Sequence, residues 1–164
     1  MIVIASDHGG VGLKDFLVQK LRSNGVEVED LGTHGSDSVD YPDFGKLVGL
    51  RVAKGEAERG ILLCTNGIGM SMVANKFPGV RAALVHELRG ARMSREHNDS
   101  NILVLGGDMT DPALAEQILD VWLETPFAGG RHQRRIDKIA EVERELGTRI
   151  EDDVTFKKHG KLGR

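Results

Sequence analysis

The sequence predicts an α/β fold, a five-stranded parallel sheet covered by helices on both faces. Two observations carry this. Short apolar runs rich in β-branched residues alternate with segments of helical periodicity along nearly the whole chain. Most of those runs are almost continuously apolar, as in strands buried on both sides, and do not alternate as half-exposed strands do. The 21 glycines fall mostly where one pattern gives way to the next, so they read as turns and not as a low-complexity tract.

MIVIAS opens the chain as a buried strand. VGLKDFLVQKLRSNG then carries Leu13, Phe16, Leu17 and Leu21 at helical spacing and stops at Gly25. VEVEDLG alternates and is the second strand; THGSDSVDYP is a loop, with Pro42 at the start of a helix that runs to about Gly55. GILLC is the third strand and GMSMVANK begins its helix. VRAALV is the fourth strand, followed by a helix through about Arg95. REHNDSN is a polar loop leading into NILVLGG, the fifth strand. Asp111 and Pro112 form an N-cap and first-turn pair for a helix holding Leu114, Ile118 and Trp122. TPFAGGRH is a loop, and residues 133–146 form a last, charged helix. The expected organisation is one domain over residues 1–146 and a polar, mobile tail over residues 147–164.

Composition narrows the function. A net charge of −3 gives no global reason to expect nucleic acid or a membrane surface as partner. Cys64 is the only cysteine, so no intrachain disulfide can form, which fits a reducing cytoplasm. No apolar run approaches the ~18 residues that span a bilayer, and the first run lacks the basic segment of a signal peptide. The six histidines are scattered, with no ligand spacing such as HExxH, so neither a metal nor another cofactor is expected.

In a parallel sheet, ligands bind beyond the carboxyl ends of the strands. SDHGG, CTNGIG, HELRG and GGDMTD leave those ends. In CTNGIGMS, Gly67 and Gly69 allow a tight turn that exposes N–H groups at a helix start, a cradle for a phosphate or an oxyanion. No Gly-Lys-Ser/Thr follows, and Met72 stands where a dinucleotide fingerprint needs its third glycine. Glycines at such a junction can be purely structural, and Cys64 can be a small buried hydrophobe. A thiol at the strand's exit can also be held as a thiolate by the helix dipole and act as a base. Asp7 and His8 either cap the first helix or bind hydroxyl and phosphate oxygens. REHNDSN sets His97, a proton carrier, beside Asn98, a hydroxyl binder. GGRHQRR puts Arg131, His132, Arg134 and Arg135 at a helix start, where cations oppose the macrodipole unless an anion joins them.

SDHGG with its following LK, DYP, GILLC…GIGMSMVANK, SREHNDSN and GGRHQRR, in this order, resemble the ribose-5-phosphate isomerase type B and galactose-6-phosphate isomerase family over residues 1–145. The resemblance implies a Rossmann-like three-layer α/β/α sandwich, free of metal. It implies a homodimer or dimer of dimers with shared active sites, interconverting aldose and ketose phosphates through a cis-enediolate. Cys64 matches the base that moves the proton; a branch of the family uses a Glu at the place of Met70. His97 matches the histidine that assists ring opening. Asp7, His8 and Asn98 match sugar or phosphate binders, and Tyr41 a residue lining the site. The backbone of Thr65, Asn66, Gly67, Ile68 and Gly69 matches the anion hole, and Arg131 and Arg135 match phosphate binders.

The chain departs from the family pattern in two places. Asn66 replaces a Thr or Ser, and Asp108 stands where an arginine would contact phosphate. The expected function is an aldose–ketose isomerase of a small sugar phosphate, by default ribose 5-phosphate to ribulose 5-phosphate. Asp108 leaves a different sugar open as the alternative, whether a tetrose or hexose phosphate or a non-phosphorylated aldose. A non-catalytic sugar-binding module fits less well, since pure binding needs no base.

Overall fold

The computed structural model describes the backbone of residues 1–159 and the side chains of residues 1–147. Its strands are β1 (Ile2–Ser6), β2 (Val28–Asp30), β3 (Arg59–Cys64), β4 (Ala82–Leu84) and β5 (Ile102–Gly106). Its helices are α1 (Val11–Ser23), α2 (Tyr41–Ala53), α3 (Ile68–Ala74), α4 (Leu88–Asn98), α5 (Pro112–Glu124) and α6 (Arg131–His159). A 3-10 turn, His8–Gly10, joins β1 to α1. The chain divides into two compact units, Met1–Ala128 with the sheet and α1 to α5, and Gly129–Arg164 with α6.

All strand pairs are parallel, in the order β2-β1-β3-β5-β4. The period of two along each strand sorts its side chains into two cores. Ile2, Ile4, Ile61, Leu63, Leu103 and Leu105 face one layer, together with Leu17, Leu21, Ile118 and Trp122 from α1 and α5. Val3, Ala5, Leu62, Cys64, Ile102 and Val104 face the other, with Val48, Met70 and Ala74 from α2 and α3. This is the three-layer architecture that near-continuous apolar strands demand.

The punctuation acts as the sequence indicates. Gly25 follows α1 at φ 73°, the left-handed conformation of a helix stop. Pro42 lies in the first turn of α2, and Asp111 accepts the Leu114 N–H at 3.0 Å to cap α5.

Three boundaries differ from expectation. β2 and β4 shrink to three half-buried residues each, because both are sheet edges with one neighbour to pair with. α4 continues to Asn98, so Arg95, His97 and Asn98 occupy its last turn and not a loop. The turn closes through Asp99 at φ 45°. α6 begins at Arg131 and its described backbone stays helical to His159, past the expected end at Leu146. The expected mobile tail over residues 147–164 falls largely outside the described side chains, and its last five residues outside the described backbone.

Candidate active site

Connectivity creates a crevice between β1 and β3. After β1 the chain turns into α1 on one face; after β3 it turns into α3 on the other. The segments leaving these neighbouring strands therefore diverge, which opens a topological switch point above their carboxyl ends. Asp7 and His8 leave β1 there, and Thr65 to Gly69 leave β3. The β5 loop closes a third side. Its Gly107 N–H donates to the Cys64 carbonyl at 2.7 Å, and its Asp108 N–H donates to the Thr65 carbonyl at 3.0 Å.

Cys64 ends β3 with its side chain on the α2–α3 side and only 5% exposed. The chain then reverses at Gly67, whose φ of 77° suits glycine and whose place leaves no room for a Cβ beside Leu84 and Leu105. That reversal aims the Gly67 N–H at the Cys64 Sγ, 3.1 Å away. The Asn66 Oδ1 lies 4.0 Å from the same sulfur and accepts the Ile68 N–H at 3.0 Å. Two of the five N–H groups expected to form an anion hole are thus engaged internally, Gly67 by the thiol and Ile68 by Asn66. The Asn66 and Gly69 N–H groups take no backbone partner among the described residues and remain available to an anion. Met70 is fully buried in the α2–α3 core and contributes packing.

The walls are equally defined. Asp7 is 6% exposed, and its Oδ1 accepts the Gly9 N–H at 2.9 Å, capping the 3-10 turn. Gly9 lies so close to the β3 loop that a Cβ would stand 2.3 Å from the Thr65 Oγ1. His8 is exposed, and its Nδ1 accepts the Val39 N–H at 3.2 Å from the loop between β2 and α2. That bond keeps the proton of the neutral ring on Nε2, a donor directed away from the backbone. The same loop is tied down at its start. Lys14, wholly buried on α1, reaches Asp30, and Asp30 accepts the Gly32 N–H at 2.9 Å. Tyr41 opens α2 with its ring over Gly69. The Val39 contact and the Lys14–Asp30 tie were absent from the sequence reading; only the LK after SDHGG hinted at the second.

The expected site residues do not all converge. Asp7, His8, Tyr41, Cys64, Thr65, Asn66, Gly67, Ile68, Gly69 and Asp108 surround the crevice. His97 and Asn98 end α4, at the amino end of β5. Cys64 stands level with Gly106 at the carboxyl end of β5, and Gly60 with Ile102 at its start. Four strand steps, about 13 Å at 3.3 Å per residue, separate those levels. Arg131 and Arg135 lie four residues apart on α6, on one helix face, and both are exposed. Among the described residues no group of three or more His, Cys, Asp or Glu could hold a metal ion, and no helix is long and apolar enough to cross a membrane.

Comparison with known proteins bears on the family and the fold. A profile described as Ribose/Galactose Isomerase matches residues 2–139. The chain belongs to the ribose/galactose isomerase family. It is 44% identical over 142 residues to ribose-5-phosphate isomerase B of Escherichia coli, an alignment covering 87% of this chain and 95% of that protein. Among solved structures of the family, that of Clostridium thermocellum ribose-5-phosphate isomerase B superposes with a TM-score of 0.87 at 52% identity, covering 88% of this chain and 98% of the other. The Mycoplasma genitalium ribose-5-phosphate isomerase B, solved with bound ribulose-5-phosphate, gives a TM-score of 0.85 at 43% identity, covering 88% and 96%.

Proposed function

We propose that the chain is an aldose–ketose isomerase of a small sugar phosphate, interconverting ribose 5-phosphate and ribulose 5-phosphate. The observation that carries this is the Cys64 thiol, which receives the Gly67 N–H at 3.1 Å next to the open N–H groups of the cradle. The C2 proton of an open-chain aldose is acidic only because the neighbouring carbonyl can take up the charge. An enzyme must therefore supply a base and, beside it, donors for the oxygen that becomes negative. Cys64 is the base. As thiolate it takes the C2 proton and returns it to C1, while a proton passes from O2 to O1. The Asn66 and Gly69 N–H groups hold the enediolate oxygen, and the Gly67 N–H stabilises the thiolate between the two transfers.

The other residues bind and orient. The Asp7 carboxylate receives sugar hydroxyls with the lone pairs that Gly9 leaves, and the His8 Nε2–H donates to phosphate. Tyr41 covers one face of the sugar. His97 moves the proton that opens the furanose ring, Asn98 binds a hydroxyl, and Arg131 and Arg135 neutralise the phosphate. The distance between His97 and Cys64 along the sheet supports a homodimer, or dimer of dimers, in which one copy brings His97 and Asn98 to the Cys64 of the other. A base that must stay a free thiol requires a reducing compartment, which supports a cytoplasmic setting.

Cys64→Ala tests the assignment. It should lower kcat for ribose 5-phosphate by about 10²–10⁴-fold, the usual cost of losing a general base. The circular dichroism spectrum and the binding of ribulose 5-phosphate should be retained. Near wild-type turnover by the variant would remove the thiol from the mechanism.

A further inference from the structure

Among the groups that the proposed chemistry leaves unused, the end of α4 is the most heavily built. Asp99 follows Asn98 in the left-handed region at φ 45°, a conformation that a residue with a side chain adopts at a cost. Two arginines converge on its carboxylate. Arg95, 7% exposed, donates from Nη1 to Asp99 Oδ1 at 2.7 Å and to the Ser100 carbonyl at 2.6 Å. Arg81 donates from Nη2 to Asp99 Oδ2 at 3.1 Å, and its Nε reaches the carbonyls of Asn98 at 2.9 Å and Asp99 at 3.0 Å. The layer beneath is as fully bonded. Trp122 donates from Nε1 to the Ser100 Oγ at 2.7 Å, and that hydroxyl meets the Ser94 Oγ at 2.9 Å. The Arg95 guanidinium lies 5.8 Å from the Trp122 ring centroid.

A helix end needs only a glycine or an asparagine to stop. Two charge-assisted bonds on one carboxylate, one of them from a nearly buried arginine, exceed that need. What they immobilise is the turn bearing His97 and Asn98, the two residues directly before Asp99 in the chain. We propose that Asp99 is a positioning residue for the isomerisation. Clamped by Arg81 and Arg95, it fixes the last turn of α4 so that the His97 imidazole and the Asn98 amide are presented in one orientation. The proposal rests on the reading of His97 as the ring-opening group. A loose turn would leave the imidazole in place chemically but scattered in angle, and ring opening depends on a proton donor aligned with one ring oxygen.

The experiment separates positioning from folding and from the His97 reading itself. Two rates are measured on each variant: conversion of ribose 5-phosphate, which is ring-closed in solution, and solvent deuterium exchange at C1 of ribulose 5-phosphate, whose phosphorylated O5 cannot close a furanose. Exchange needs Cys64 and the cradle but no ring opening. His97→Asn should slow conversion and spare exchange. Asp99→Gly, which keeps the left-handed turn and removes the carboxylate, should slow conversion by roughly tenfold to 10²-fold and also spare exchange. Added to His97→Asn, it should cost nothing further. Equal losses in both rates, or a full additional loss in the double variant, would mean that Asp99 is structural, and an unchanged conversion rate would remove it altogether. If His97→Asn leaves conversion intact, the His97 reading falls; if only Asp99→Gly does, the positioning role falls alone. Should Asp99→Gly not fold, Asp99→Asn carries the same comparison, since it favours the same turn and loses the charge.

Discussion

Asp108 is the residue that fits the proposed substrate least well. Its N–H is bonded to the Thr65 carbonyl, so its Cα is fixed beside the loop that carries the cradle, while its side chain is exposed. Among the described residues no hydrogen bond or ion pair holds the carboxylate. A negative charge at the rim of a site for a phosphate dianion weakens binding unless cations offset it, and Arg131, Arg135 and His8 are the candidates here. Asp108→Arg should raise kcat/KM for ribose 5-phosphate by on the order of tenfold, the scale of reversing one exposed ion pair, and lower it for any unphosphorylated aldose. Asp108→Asn should lie between. Unchanged values for both substrate classes would place the carboxylate out of the site's reach. Asp108 and Cys64 both stood out in the sequence, the second because a lone thiol before closely spaced glycines is a pattern of residue types. The direction of the Gly67 N–H was not legible. It depends on which way a left-handed turn rotates one peptide plane, and the sequence pattern is the same whether that donor faces the thiol or the substrate. The His8–Val39 bond was hidden for a related reason, since its donor is a backbone group 31 residues away whose side chain plays no part.

At the level of elements, legibility followed burial. β1 and β5 are fully buried, β3 is buried after Arg59, and all three read as continuous apolar runs, so their placement needed no tertiary information. β2 and β4 lie at the edges, where one partner decides how many residues pair, and the sequence overstates both. The end of α4 was misjudged because polarity argued for a loop. Arg95, Asp99 and Arg81 turn that polar segment into a bonded helix terminus through contacts reaching 18 residues back along the chain. The start of α5 was legible because its cap is local: Asp111 and the Leu114 N–H are three residues apart. That locality makes a clean stability test. Asp111→Ala should destabilise the fold by about 1 kcal/mol, seen as a fall in Tm of roughly 2–4 °C. Asp111 takes no part in the chemistry proposed, so kcat should be unchanged once the protein is folded. A Tm equal to wild type would show that water replaces the cap at no cost.

For the whole molecule, the sheet itself sets the argument for a second subunit. α4 returns from the carboxyl end of β4 to the amino end of β5, so a parallel sheet forces its last residues, His97 and Asn98, to the end opposite Cys64. Joining them within one chain would mean breaking the register of β3 against β5, five paired residues in the centre of the core. α6 lends the proposed association a second support. Ile139, Val142 and Leu146 recur at helical spacing yet remain 44%, 54% and 52% exposed, an apolar stripe that a soluble helix ordinarily covers. The decisive measurement is complementation. Cys64→Ala and His97→Asn chains are co-expressed with different tags, and the mixed dimer is isolated. If each site takes Cys64 from one chain and His97 from the other, the mixed dimer holds one doubly damaged site and one intact site. It should then convert ribose 5-phosphate at about half the wild-type rate per dimer, while both parent homodimers stay slow. If each chain carried a complete site, every site in the mixed dimer would keep one lesion, and its rate would only average those of its parents. That result would overturn the sharing of sites between subunits, and with it the role of a second copy in bringing His97 to Cys64.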